Sequence, residues 1–202
     1  MSFEVNQGQA NRQFDFISRG TDFRLYVNSS GALLAVQHEA DNASMLRMTF
    51  AKANRSPAGV ALEELPGKAN YFIGHDPAQW RVGVPTYSKV KYTNIYPGVD
   101  VVYYGNKQLL EYDFVVAPGA DPHRIQLVFQ GQQGLRVDAE GNLLLKVGSG
   151  EIVQRKPFVY QEIERARREI PGRYVIDHRQ QVSFAVGNYD HTKPLVIDPV
   201  LI

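Results

Sequence analysis

The sequence predicts an all-β fold, an antiparallel β-sandwich of two packed sheets built from about fourteen short strands with almost no helix. Three observations carry this. Segments of about four to eight residues alternate apolar and polar side chains with period two. Clusters of Gly, Asn, Asp and Pro separate them. The 3.6-residue pattern of an amphipathic helix is nearly missing.

The elements follow in order. Phe14 and Phe16 alternate around Asp15. Phe23, Leu25 and Val27 alternate with Arg24, Tyr26 and Asn28, and Ser29-Ser30-Gly31 turns the chain into Ala32–Gln37. Leu46, Met48 and Phe50 mark the next strand, and Lys52–Gly59 reads as a loop. Asn70–Ile73 reads as a short strand. Asp76-Pro77 then reads as a cap and a first-turn proline, opening a single helical turn through Ala78, Gln79 and Trp80. Val84–Tyr92 returns to strand, and Tyr96-Pro97-Gly98 is turn chemistry. Val99–Tyr104 and Leu109–Val116 form a hairpin, with Leu110, Tyr112, Phe114 and Val116 on one face and Glu111 and Asp113 on the other.

Beyond the Pro118–Pro122 turn, Ile125, Leu127 and Phe129 form an amphipathic strand. Leu135–Val137 and Leu143–Val147 pair over Asp138-Ala139-Glu140-Gly141-Asn142. Glu151–Lys156, Pro157–Ile163, Tyr174 with Ile176, Val182–Val186 and Leu195–Ile197 complete the set. No composition shift or flexible linker divides the chain, so residues 1–202 read as one domain.

Composition excludes several classes. Lys+Arg total 22 against Asp+Glu 21, so no basic surface argues for nucleic acid or an anionic membrane. No apolar run approaches the roughly 20 residues of a membrane span. Cysteine is absent, which removes disulfides, thiolate nucleophiles and cysteine-ligated metal. No signal peptide opens the chain, and it ends on Pro-Leu-Val-Ile-Asp-Pro-Val-Leu-Ile, so the expectation is a piece of a longer multi-domain chain. A cytosolic protein starting at Met1 is the alternative.

Long runs of these residues resemble one family. They include Leu65-Pro66-Gly67-Lys68-Ala69-Asn70-Tyr71-Phe72-Ile73-Gly74, Asp76-Pro77, Trp80-Arg81, Val84-Pro85-Thr86-Tyr87 and Tyr96-Pro97-Gly98-Val99-Asp100. Tyr103-Tyr104-Gly105, Leu110-Glu111-Tyr112-Asp113-Phe114, Ala117–Pro122, Gln154–Pro157, Tyr160-Gln161-Glu162 and Pro194–Pro199 continue the likeness. Phe3–Gln9 matches too, with Val5 out of pattern. The chain resembles the uncharacterised domain placed ahead of SBBP-type (seven-bladed β-propeller) repeats in bacterial surface and secreted proteins. That resemblance implies an extracellular or cell-surface location and a downstream β-propeller, and it transfers no catalytic residue.

Two groups of residues invite a functional reading. Glu111 and Asp113 share a strand face with Cβ atoms about 7 Å apart, the order of separation at which glycosidase carboxylates work. Against a hydrolase, neighbours on one strand point the same way, whereas such pairs flank a bond. The competing expectation is a solvated strand face paired with Lys89, Lys91 or Lys107. Second, the stretch from Leu65 to Pro122 holds the single tryptophan and seven of the eleven tyrosines. Trp80, Tyr87 and Tyr96 with His75 and Asp76 are the candidate platform for a glycan or a protein partner. The alternative is that these rings pack the core, with Trp80 plugging it beneath the Asp76 turn.

Other motifs carry less. His38, His75, His123, His178 and His191 lack metal-site spacing, so no metal and no cofactor is expected. A calcium site built from loop oxygens is the one metal alternative. Asn28-Ser29-Ser30, Asn42-Ala43-Ser44 and Asn54-Arg55-Ser56 fit the glycosylation triplet. In Glu164–Glu169 acids and arginines interleave, which reads as a solvated hairpin end.

Overall fold

The computed structural model describes residues 1–21, 23–37, 43–54, 59–106 and 109–201. His38, Asn42, Arg55, Ser56 and Lys107, and the side chain of Leu110, lie outside that description. Nineteen strands and two 3-10 turns make up the described fold. The strands are β1 (Phe3–Val5), β2 (Phe16–Arg19), β3 (Phe23–Asn28), β4 (Gly31–Gln37), β5 (Ala43–Phe50), β6 (Gly59–Tyr71), β7 (Arg81–Tyr96), β8 (Val99–Asn106), β9 (Leu109–Val116) and β10 (Gln126–Gln130). They continue with β11 (Gly134–Val137), β12 (Leu143–Val147), β13 (Gly150–Gln154), β14 (Phe158–Ile163), β15 (Ala166–Ile170), β16 (Gly172–Ile176), β17 (Val182–Val186), β18 (Leu195–Asp198) and β19 (Val200–Leu201). The 3-10 turns are Pro77–Gln79 and Pro122–Arg124.

The all-β class holds, and every described pairing is antiparallel. All nineteen strands join one hydrogen-bonded network. Its path runs β16–β17–β10–β5–β4–β3–β2–β1–β7–β8–β9. The joint is β1, which pairs with β2 through Phe3↔Ser18 and with β7 through Phe3↔Tyr87. Three residues are too few for an alternation pattern to announce, so this bridge is not legible from side-chain rhythm. For the same reason the strand count exceeds fourteen. β19 is two residues long, and β15 is a charged Ala-Arg-Arg-Glu-Ile with no apolar rhythm.

Two strands differ most from expectation. β6 runs thirteen residues through Leu65-Pro66-Gly67, which reads as a break. Register shifts at Leu65/Lys68 and Ala69/Tyr71 absorb the proline and glycine, so the strand bulges and continues. β7 extends past Tyr92 to Tyr96 by a second irregularity, in which Asn94 adopts φ 56° and its amide donates to Asp100 Oδ1 at 2.7 Å. Pro97-Gly98 then makes the expected two-residue turn into β8, with Gly98 at φ 73°, a conformation glycine adopts without a Cβ penalty.

The core runs from Phe3 to Ile197 as one apolar cluster. Tyr112, Phe114, Ile125, Leu127 and Phe129 are all buried, as the central hairpin register predicts. Phe114 on β9 meets Phe50 of β5 at 5.7 Å and Phe184 of β17 at 5.8 Å between ring centroids, joining distant parts of the path. Tyr92, Tyr103 and Tyr112 line up beside it, at 6.3 and 6.0 Å. Gln154 Nε2 donates to Tyr112 Oη at 2.8 Å and to Tyr174 Oη at 2.9 Å, giving these two buried hydroxyls a partner. These rings are therefore packing residues.

At β9 the network divides. One edge pairs with β8. The other pairs with β18 along Val116–Phe114 and with β19 along Glu111–Leu110, in a single unbroken register on either side of Pro199. β18 continues to β14 and β15, whereas β19 continues to β13, β12 and β11. Leu195–Ile197 is thus a fully integrated strand, as expected.

Candidate functional site

The two groups singled out in the sequence end up in two different settings. The first is the outer end of the β6–β7 ribbon. Beyond Thr86 of β7, no third strand pairs with this ribbon among the described residues. Its root is tied down from below. The Tyr71 hydroxyl donates to the Glu4 carboxylate, and the Arg19 guanidinium sits 4.8 Å over the Tyr71 ring. Arg81 Nε donates to Gln7 O at 2.9 Å, and its Nη1 to Gln79 O and Trp80 O at 3.1 and 3.3 Å. Burial, with help from Glu4, pushes the Tyr71 phenol up to about 12.

The tip itself is Phe72–Trp80. Asp76 caps the 3-10 turn as its sequence predicts, accepting from Ala78 N at 2.9 Å. Trp80 Nε1 donates to Gly74 O at 3.3 Å, and the indole stands edge-on to Phe72 with centroids 5.2 Å apart. Trp80 is only half-buried and does not belong to the core cluster, so it plugs nothing. Phe72, Ile73 and Val82 are 62%, 60% and 66% exposed. The sequence reading placed Phe72 and Ile73 in a strand; the strand stops at Tyr71 and leaves both outside it. The signal for this end is Gly74, which turns the chain at φ 76° just beyond them.

The proposed platform does not assemble. His75, Asp76 and Trp80 share the tip, but Tyr87 lies mid-strand between Phe3 of β1 and Glu64 of β6. Tyr96 is a core residue. Its hydroxyl lies 3.0 Å from Ala51 O and 3.1 Å from Gln126 O, and burial pushes it up to about 12. The larger of the two described cavities, an open groove of about 730 Å³, passes beside the root of the tip between the Asn6–Phe16 segment, Gly59 and Arg81.

The second setting is the outward face of β9. Among the described residues the expected solvated face with lysine partners is not there, and Lys107 lies outside them. Lys89 pairs with Glu63 and Lys91 with Asp100, both at 2.7 Å. Glu111 is only 8% exposed. Asp113 accepts from Tyr104 Oη at 2.9 Å. The register Phe114↔Ile197 puts Asp198 of β18 opposite Asp113 on the same face, so three carboxyls meet there. Burial raises Asp113 to about 7, and the neighbouring Asp198 adds to the rise. Burial and Glu111 raise Asp198 to about 6. Arg167, which stacks over the Tyr160 ring at 4.4 Å, opposes both shifts. Asp198 was not singled out in the sequence, because only the strand pairing shows what it faces.

Chemically the face holds two carboxyls, Asp113 and Asp198, raised toward neutral pH, but they and Glu111 project from adjacent strands in one direction. None of them lines either described cavity. No group of three or more metal-ligating side chains is arranged for an ion among the described residues. No described helix is long and apolar enough to cross a membrane.

An antiparallel all-β chain with this bifurcated sheet defines the class, and comparison with known families then gives the family. Residues 3–200 match a domain of unknown function, DUF7948, and the chain belongs to that family. No curated protein and no solved structure matches it.

Proposed function

We propose that the chain is a non-catalytic recognition module of a bacterial surface or secreted protein, carried ahead of a β-propeller, which contacts a glycan or a protein partner through the tip of the β6–β7 ribbon. The observation that supports this is the clustering of Phe72, Ile73 and Val82, all exposed, around the half-exposed Trp80. Apolar side chains gathered at one protruding turn favour a contact surface over ordinary solvent exposure. Aromatic rings there offer rigid contact area at little conformational cost. His75 and Asp76 supply polar groups beside them. A folded spacer with no ligand is the bland form of the same reading.

Glycan arrays and pull-downs with the purified chain test it. A signal lost on Trp80→Ala and on Phe72→Ser, with circular dichroism unchanged, supports recognition by the tip. A signal indifferent to both changes removes the tip from the reading.

A second reading, a carbohydrate-active hydrolase using Glu111 and Asp113, draws support from Asp113 being held protonated to about 7. It needs a carboxylate across a cleft, and Asp198 shares the same face instead. Turnover of a glycan that Glu111→Gln abolishes in a folded protein would establish the hydrolase.

A further inference from the structure

We propose that the Asp198–Pro199 peptide bond is a self-cleavage site, cut by the Asp198 carboxylate through a cyclic anhydride while Asp113 on the adjacent strand supplies the proton that the departing proline nitrogen takes. The chain has three Asp-Pro bonds, at Asp76-Pro77, Asp121-Pro122 and Asp198-Pro199. Chemically they start equal. Each joins a carboxylate to a neighbouring carbonyl through a tertiary amide, whose nitrogen leaves as a secondary amine.

The fold makes them unequal. Asp76 and Asp121 cap exposed 3-10 turns, and one oxygen of each carboxylate is held in the cap: Asp76 Oδ1 accepts from Ala78 N at 2.9 Å, and Asp121 Oδ1 from His123 N at 3.0 Å. Asp198 Oδ1 is shielded from solvent and has no hydrogen-bond partner among the described residues. Its lone pairs are free to attack. Asp198 also faces Asp113, a carboxyl that burial keeps protonated toward neutral pH.

An Asp198 side-chain oxygen bonds to the Asp198 main-chain carbonyl carbon, closing a five-membered anhydride. The bond from that carbon to Pro199 N breaks, and the nitrogen takes the Asp113 proton. Water then opens the anhydride, leaving Asp198 as a new C-terminus and returning a proton to the cluster. Holding nucleophile and carbonyl on one residue provides the proximity, and the carboxyl donor provides general-acid assistance. The side chains whose charge bears on the site are Glu111 and Asp113 of β9, Tyr104 of β8, Tyr160 of β14, Arg167 of β15 and Tyr174 of β16. With Asp198 raised to about 6 and Asp113 to about 7, the reactive combination of ionised Asp198 and protonated Asp113 is most populated between those values.

The test is intact-mass and peptide mass spectrometry of the purified chain incubated from about pH 4 to about pH 8. The expected result is a fragment ending at Asp198, formed at least about tenfold faster than cuts at the other two Asp-Pro bonds and fastest near pH 6 to 7. Asp198→Glu keeps the charge but needs a larger ring, and should abolish the cut. Asp113→Asn should slow it about tenfold, with Asp113→Glu restoring part of the rate. In urea the preference for Asp198–Pro199 should vanish. Equal slow cleavage at all three bonds in the folded chain, no cleavage at any pH, or an undiminished rate in a folded Asp113→Asn protein overturns the proposal.

Discussion

β9 and the tip of the β6–β7 ribbon are both strand-derived, both rich in aromatic residues, and opposite in circumstance. β9 has β8 on one edge and β18 with β19 on the other. Its apolar face is sealed in the core, and its polar face is covered by Asp198 and its neighbours. At the tip neither face is covered. Phe72 and Ile73 are largely exposed, and Phe72 meets Trp80 edge-on. Alternation assigns residues to faces, while the neighbours on each edge decide whether a face is wet.

Substitutions can sharpen that contrast, and the largest effect belongs to the buried face of β9. Phe114 touches Phe50, Tyr112 and Phe184 with no exposure, so Phe114→Ala opens a cavity between distant strands. The expected loss is about 3–5 kcal/mol in urea unfolding. A loss below about 1 kcal/mol would mean that the core collapses around the hole and that this face is less fixed than its contacts imply.

The polar face of β9 should respond next, through pH. Asp113 ordinarily titrates at 3.8 and is raised to about 7 here. The folded state therefore holds its proton more tightly than the unfolded chain does. The stability this contributes is present in full below about pH 4 and is lost as pH rises through about 7. Asp198, raised to about 6, acts with the same sign. Melting temperature should fall between these limits, and Asp113→Asn should flatten the fall. Asparagine keeps the Tyr104 hydrogen bond without the charge, so at pH 8 the variant should be the more stable by an amount on the order of 1–2 kcal/mol, allowing for partial solvent screening. An Asp113→Asn protein with the parent's pH profile would mean that the face is solvated after all.

How far the sequence announced all this follows from the same contrast. The hairpin of β8 and β9, the strands around Leu127 and Leu145, and the Asp76 cap were legible because each is a local pattern of side chains with a fixed period or a fixed cap. The bridge through β1 was not, because its role is to pair with β2 and β7, far away in sequence. Asp198 was hidden for the same reason: it reads as the polar step of Leu-Val-Ile-Asp, and only the pairing with β9 sets it opposite Asp113. A tyrosine beside a Pro-Gly turn reads as exposed, yet Tyr96 is buried with its hydroxyl between Ala51 O and Gln126 O. Tyr87 and Trp80 were grouped by proximity in sequence, and the length of β7 separates them.

The smallest stability effect should come from the tip, and there the smallness is the point. Trp80 is half-exposed, contacts Phe72 edge-on and donates one hydrogen bond of 3.3 Å to Gly74 O. Arg81 and Tyr71 anchor the ribbon root without it. Trp80→Ala should therefore shift the unfolding midpoint by no more than about 0.5 kcal/mol, the ordinary range for a surface change. Had Trp80 been core, the same truncation would cost about 3–5 kcal/mol. A residue of this size that adds little to folding yet sits among Phe72, Ile73 and Val82 is free to serve an outside contact. Urea unfolding of Trp80→Ala, set beside that of Phe114→Ala, measures the contrast directly. A Trp80→Ala loss comparable to the core substitution would show that the tip is held by packing and would remove the argument that its exposed apolar residues are there for a partner.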